Sequence, residues 1–246
     1  PLCDALEIKR MDDGFPSNTD CDLTVTGNAV ECTEADNLVV KAYRLLASDF
    51  KLPRIHIHLF KRIPSQAGLG GGSSDAAYMI RLLDERFRLN IGDAEMERYA
   101  ARLGADCAFF VRSETAFAHG IGNILEPADT ESGSLKGRWI AVVKPPVAVS
   151  TAEAFSKVKP KQPELCCRDI VRKSIVTWRE LLNNDFEESV FAIHPEIAAV
   201  KQLLYDMGAV YAQMSGSGSA VFGIFDSKPE GVDTEFADMF TFTSKL

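Results

Sequence analysis

Apolar residues recur at Ala76, Met79, Ile80, Leu83 and Phe87, one stripe at helical spacing that predicts an amphipathic helix, with Ser73 or Ser74 able to cap its start. Similar periodicity marks residues 37–46, where Leu38, Tyr43, Leu45 and Leu46 share a side, and residues 94–103 and 196–207. Gly104 stands where a left-handed C-terminal cap is expected, and Gly208 where the last of these helices stops. Strict alternation at Ile55, Ile57 and Leu59 predicts a half-buried strand. Before it, the runs 5–8, 23–25 and 29–32, separated by Asp12-Asp13-Gly14 and Thr26-Gly27-Asn28, predict an antiparallel meander. Further strands are expected at 116–118 and around Ile124 and Leu125, flanking the turn Gly120-Ile121-Gly122-Asn123, and at 139–143, 210–214 and 220–225. The polar stretch 127–137 is the candidate linker. The pattern predicts an α+β protein of two domains, residues 1–135 and 136–246, without internal repeats or low-complexity tracts.

Between the alternating strand and the first long helix the chain reads Pro64-Ser65-Gln66-Ala67-Gly68-Leu69-Gly70-Gly71-Gly72-Ser73-Ser74. Glycines can turn backbone amides inward, and the helix that follows adds the positive end of its dipole, so the stretch is suited to grip phosphate. It is neither a Walker A motif, which ends in Gly-Lys-Ser/Thr, nor a dinucleotide fingerprint, which needs a glycine where Ser73 stands. A flexible surface loop is the bland alternative, disfavoured because the stretch runs straight into so regular a helix. A second glycine-serine turn, Ser215-Gly216-Ser217-Gly218-Ser219, reads either as a plain turn between strands or as a second ligand loop with alternating hydroxyls and exposed amides.

Asp106 is the candidate reactive carboxylate, placed between a helix-stop glycine and the apolar run 107–111, which would partly desolvate it; by residue type alone it also reads as a helix cap. His56 and His58 share a strand face but have no evident third ligand, so an exposed sheet edge explains them and no metal is assigned. Phe155 can stack on a base or sugar, or serve as core.

Composition narrows the partners. With 246 residues and 46% hydrophobic positions the chain can bury a substantial core. It carries no apolar run of about 18 residues and no signal-peptide pattern, which points to a cytoplasmic protein with no membrane partner. Its six cysteines follow no zinc or disulfide spacing and are expected as reduced thiols, the adjacent pair Cys166-Cys167 included. A net charge of −8 without a basic run argues against nucleic acid, so any phosphate must be held locally.

Read together, residues 64–77, Gly104-Ala105-Asp106 and residues 214–222 resemble, in order and spacing, the three signature regions of the GHMP kinases, the superfamily of galactokinase, homoserine kinase and the mevalonate kinases. The finer text, Asp36-Asn37-Leu38-Val39-Val40-Lys41-Ala42, Lys61-Arg62-Ile63-Pro64, residues 103–110 and Met214-Ser215-Gly216-Ser217-Gly218, is similar to the branch that phosphorylates a cytidine-diphosphate-linked methylerythritol in non-mevalonate isoprenoid synthesis. The resemblance covers residues 1 to about 225. It implies a two-domain α+β kinase with its ATP and substrate cleft between domains, using ATP and Mg²⁺. In that frame Gly68, Gly70, Gly71, Gly72, Ser73 and Ser74 wrap the ATP phosphates, and Asn37, Leu38 and Lys61 lie near the adenine. Asp106 acts on the acceptor hydroxyl, as base or as orienting charge, and Phe155 stacks on the cytosine. Thr151 with Ser215, Gly216, Ser217 and Gly218 completes the phosphate and substrate side. The family also opens with a strand carrying Ala-Lys-Ile-Asn-Leu and then Asp-Gly-Tyr-His, and neither text is in this sequence. The resemblance therefore implies a truncated kinase that lacks the lysine partner of Asp106 and the cytosine-reading histidine, with weak or no turnover. A homoserine- or mevalonate-type kinase, and a non-catalytic nucleotide-binding module, are the rival readings.

Overall fold

In the computed structural model, which describes residues 2–12, 14–30, 32–128, 135–159 and 162–246, the strands β1 (Ala5–Arg10), β2 (Cys21–Gly27) and β3 (Ile55–Lys61) form a sheet of order β1-β3-β2. β1 runs antiparallel to β3, but β2 runs parallel to it, which corrects the expected meander. The reason is the helix α1 (Leu38–Ala47) between β2 and β3: a crossover returns the chain to the end from which it left, so the flanking strands point the same way. Residues 29, 30 and 32 form no strand, and the rest of that expected run, like Asp13 of the expected turn, lies outside the described residues.

The alternation in β3 holds, with Ile55, Ile57 and Leu59 fully buried. They meet Val39, Val40, Tyr43 and Leu46 of α1 and Ala76, Met79, Ile80 and Leu83 of α2 (Gly71–Phe87) in one core. Each such Ile or Leu contributes roughly 1.5–3 kcal/mol by leaving water. His56 and His58 occupy the opposite face of a central strand rather than an edge, and His58 is hydrogen-bonded to Thr26 at 2.8 Å. Helix α3 (Asp93–Leu103) follows as expected, but Gly104 at φ 179° is extended, not left-handed, and leads into a 3-10 turn at Ala105–Cys107 and a short α4 (Phe109–Arg112). The hairpin β4 (Ala116–His119) and β5 (Ile124–Pro127) closes this part of the chain. Of the candidate linker 127–137, residues 129–134 lie outside the described residues.

The strands β6 (Trp139–Lys144), β7 (Tyr211–Met214), β8 (Val221–Phe225) and β9 (Phe240–Lys245) form an antiparallel sheet of order β7-β8-β6-β9. Between β6 and β7 the chain winds through α5 (Thr151–Ser156), α6 (Cys167–Ile170), α7 (Trp178–Leu181), α8 (Phe186–Ile193) and α9 (Pro195–Asp206), and α10 (Val232–Glu235) precedes β9. One sheet face, with Ala141, Val143 and Val221, packs on Val190 of α8 and on Ile197, Val200 and Leu204 of α9. The other face meets Ile170 and Trp178, and also Ala67 and Leu69 from the distant glycine loop. The chain thus divides into two bodies: Leu2–Ser65 with Gly70–Ala128, and Gln66–Leu69 with the described residues of Asp129–Leu246. No helix among the described residues is long and apolar enough to cross a membrane, and all six cysteines are free.

Candidate active site

The glycine loop is held at both ends by different neighbours. Its first half is laced to the second glycine-serine turn: the amides of Ala220 and Ser219 donate to the carbonyls of Ala67 (3.0 Å) and Gln66 (3.4 Å), and Ser215 Oγ donates to the Gly68 carbonyl (2.8 Å). A Cβ on Gly68 would stand 1.9 Å from the Ser215 carbonyl oxygen, and its φ of +68° is left-handed, so only glycine fits. The two loops that the sequence sets more than a hundred residues apart are one structural unit.

The second half starts α2. Gly70, also at φ +68°, is the N-cap, and the expected serine caps are instead first-turn residues, with Ser74 Oγ donating back to the Gly71 carbonyl at 2.7 Å. A side chain would not fit at Gly70, where it would meet the Phe110 ring at 2.6 Å, nor at Gly71, where it would meet Ile63 at 2.9 Å. Bare amides at the positive end of a 17-residue helix are what an anion needs.

Beneath this helix start lies a cluster the sequence did not disclose. Lys61, 5% exposed, places its ammonium 2.7 Å from Asp75, the fifth residue of α2, and pairs as well with Asp4 just before β1. The other oxygen of Asp4 accepts the amides of Arg62 (2.6 Å) and Ile63 (2.8 Å). Burial alone would raise the Asp4 carboxyl, but Lys61 and these amides hold it below its usual range. Asp75 is pushed up to about 6, chiefly by burial, against the pull of Lys61. Lys61, expected near a base, is thus committed to two carboxylates under the loop.

The 3-10 turn brings Asp106 beside the same helix start, because its neighbour Cys107 is buried and hydrogen-bonds Ser73. Asp106 itself is exposed, so the expected desolvation by the apolar run does not occur; its Oδ1 lies 3.5 Å from where a Cβ of Gly122 would stand in the β4–β5 turn. Asn37 caps α1 by accepting the Val39 amide at 3.1 Å, and Leu38 leans to within 3.8 Å of the Cβ position of Gly72. A cavity of about 380 Å³ lined by Asn37, Leu23, Val25, Val30 and Cys32 adjoins them along β2.

In the other body, Thr151 opens α5, which Ser150 caps, and Phe155 is 61% exposed, edge-on to Phe186 at 4.8 Å. Gly216 is exposed, Ser215 and Ser217 are half-buried and Gly218 is buried. Two residues that sequence reasoning missed shape this turn. Asn184 donates from one amide nitrogen to the carbonyls of Met214 and Gly216, both at 2.8 Å. Glu187, buried, accepts the Met214 amide at 2.9 Å while pairing with Lys201 at 2.6 Å. Their only sequence signal is the polar run Asn183-Asn184-Asp185 just before a helix that reads Phe-Glu-Glu-Ser-Val-Phe-Ala-Ile.

Comparison with known proteins places these features in a family. Residues 37–114 match the model of the GHMP kinases N terminal domain and residues 167–234 that of the GHMP kinases C terminal. A 4-diphosphocytidyl-2-C-methyl-D-erythritol kinase of Bacteroides fragilis is 48% identical over all of this chain, which spans 88% of that protein's length. A crystal structure of 4-(cytidine 5'-diphospho)-2C-methyl-D-erythritol kinase superposes over the whole chain and 87% of its own, at a TM-score of 0.76 and 26% identity. Homoserine kinase from Cytophaga hutchinsonii shares the fold at a TM-score of 0.64, with 98% of this chain and 84% of its own covered, but only 14% identity. The matched ranges include the glycine loop from Gly68, Asp106 and the serine-glycine turn, and the chain belongs to the GHMP kinases, in the family of the 4-diphosphocytidyl-2-C-methyl-D-erythritol kinases.

Proposed function

We propose that this chain transfers the γ-phosphoryl group of ATP to the 2-hydroxyl of 4-diphosphocytidyl-2-C-methyl-D-erythritol, a step toward isoprenoid precursors. The observation that carries this reading is 48% identity with the Bacteroides fragilis kinase from end to end of the chain, whereas the homoserine kinase shares little beyond the fold.

In this reading residues 1–135 act as the nucleotide domain and 136–246 as the acceptor domain. Gly68, Gly70, Gly71, Gly72, Ser73 and Ser74 cradle the phosphates, with the base toward Asn37 and Leu38 and the cavity beside them. Lys61 supports the cradle from below. Phosphoryl transfer asks little covalent chemistry of a protein, so the work is positioning and charge stabilisation. Asp106 receives or orients the acceptor hydroxyl; its exposure leaves it accessible to a substrate. Mg²⁺ bound to ATP would supply charge neutralisation for the transferring group; among the described residues no three His, Cys, Asp or Glu side chains converge as a cation site. Thr151, Phe155, Ser215, Gly216, Ser217 and Gly218 form the acceptor side, Phe155 offering an exposed ring to the cytosine. The reaction would take place in the cytoplasm.

The test is turnover of ATP against a panel of acceptors in the protein that carries this chain, with Asp106→Asn beside it. The cytidine-linked methylerythritol should exceed homoserine and mevalonate as acceptor, and Asp106→Asn should lower kcat by about 10²–10⁴ while nucleotide binding persists. Preference for another alcohol would move the chain to a sister activity, and binding without turnover on any acceptor would make it a nucleotide-binding module.

A further inference from the structure

Below the phosphate cradle sit three charges with a net of −1 when all are ionised: Asp4, Lys61 and Asp75, every one of them buried. Two carboxylates around one ammonium under an anion site is an unexpected arrangement, because uncompensated negative charge there opposes the phosphate. We propose that Asp75, Lys61 and Asp4 form a buried charge cluster that couples phosphate binding at the start of α2 to uptake of one proton by Asp75. The inference rests on the kinase reading for the identity of the anion.

The geometry singles out Asp75 as the proton's destination. Asp4 is fixed in its ionised form by two backbone amides as well as by Lys61, and protonating it would set those donors against a weaker acceptor. Asp75 accepts from Lys61 of β3 and stands within hydrogen-bond reach of the Asp4 carboxyl from the segment before β1, whose charge and contact favour a proton on Asp75. The other titratable groups at this helix start are the exposed Asp106 carboxylate and the Cys107 thiol, the latter raised by burial and turned to Ser73. The upward displacement of Asp75 to about 6 agrees with the placement.

The cluster also lies close enough to act. A Cβ built on Gly71, the first residue of α2, would stand 3.4 Å from Lys61 Nζ, so the ammonium lies against the backbone at the start of the helix. With Asp75 ionised, Lys61 is shared between two carboxylates. With Asp75 neutral, more of its positive field reaches the cradle. A phosphate therefore binds the protonated cluster better, and by linkage its arrival raises the proton affinity of Asp75. Such pairs titrate as a unit, so the proton belongs to the cluster even though Asp75 carries it.

The experiment is calorimetric titration of the protein with a non-hydrolysable ATP analogue and Mg²⁺ between pH 5.5 and 8, in buffers of differing ionisation enthalpy, for the native chain and Asp75→Asn. The nucleotide's own titration is common to both, so the difference in proton number isolates Asp75. We expect the native protein to take up a substantial fraction of a proton more than Asp75→Asn near neutral pH. Asp75→Asn should bind about threefold to tenfold more tightly at pH 8 and equally at pH 5.5, where the native carboxyl is already largely protonated. Asp75→Ser, also neutral but smaller, should repeat both results and covers the case in which the asparagine variant does not fold. Equal proton numbers in native and variant protein overturn the inference while leaving the kinase reading intact. Absence of nucleotide binding at every pH overturns both.

Discussion

Gly70 carries two separate demands, and they make it the most exacting residue of the loop. Its left-handed φ disfavours any side chain by roughly 1–2 kcal/mol, and a Cβ would meet the Phe110 ring at 2.6 Å. Gly70→Ala should therefore displace the first amides of α2 and weaken nucleotide binding at least about tenfold, measured by calorimetry. Gly92→Ala is the matched control: φ is −75° and nothing lies within 4 Å of its Cβ position, so binding and melting temperature should stay unchanged. At this scale the sequence was a poor guide to what the candidate residues touch. The glycines and Asp106 stood out by type and order, and Asn37 only through the resemblance. Lys61 did not reveal its carboxylate partners, because Asp4 and Asp75 are 57 and 14 positions away and no periodicity joins them.

Elements carry the next level of order. Helices and the alternating strand were legible because period 3.6 and period 2 are written in the apolar positions. The parallel pairing of β2 and β3 was missed, although α1 lies between them and a crossover helix is the usual cause of such pairing. The head of α8 shows how an element can serve a loop. Asn184, one residue before its N-cap Asp185, accepts the Phe186 amide at 3.0 Å and donates to the turn after β7. Asn184→Leu leaves two carbonyls without a donor and should cost about 1–3 kcal/mol, read as a lower urea midpoint. In the proposed enzyme, KM for the acceptor should rise more than KM for ATP, because Ser215, Gly216, Ser217 and Gly218 sit on the turn that Asn184 anchors.

For the whole molecule, the decisive fact is that Gln66–Leu69 belong to the body built from the C-terminal half. Ala67 and Leu69 pack with Val142, Ala220, Phe222 and Phe242, so the later sheet completes one face with residues from the earlier half of the chain. A fragment of residues 135–246 lacks that cover. It should expose the apolar face, bind a hydrophobic dye strongly and melt at a lower temperature than the same residues in the whole chain. Adding residues 66–69 by a linker should reverse part of the effect.

Residue type and spacing, read without any structure, determined the helices at 37–46, 76–87, 94–103 and 196–207 and singled out the glycine loop, the serine-glycine turn and Asp106 as candidates, and the resemblance of those motifs pointed to the lineage. All of these are local: each is a short stretch whose meaning lies in its own composition and period. Only the tertiary structure decided that the two glycine-serine loops are laced together, that Lys61 bridges Asp4 and Asp75 beneath the first helical turn, and that Asn184 and Glu187 shape the second loop. These are contacts between residues distant in the chain, made by polar side chains that follow no hydrophobic period, and burial is what gives them their energy.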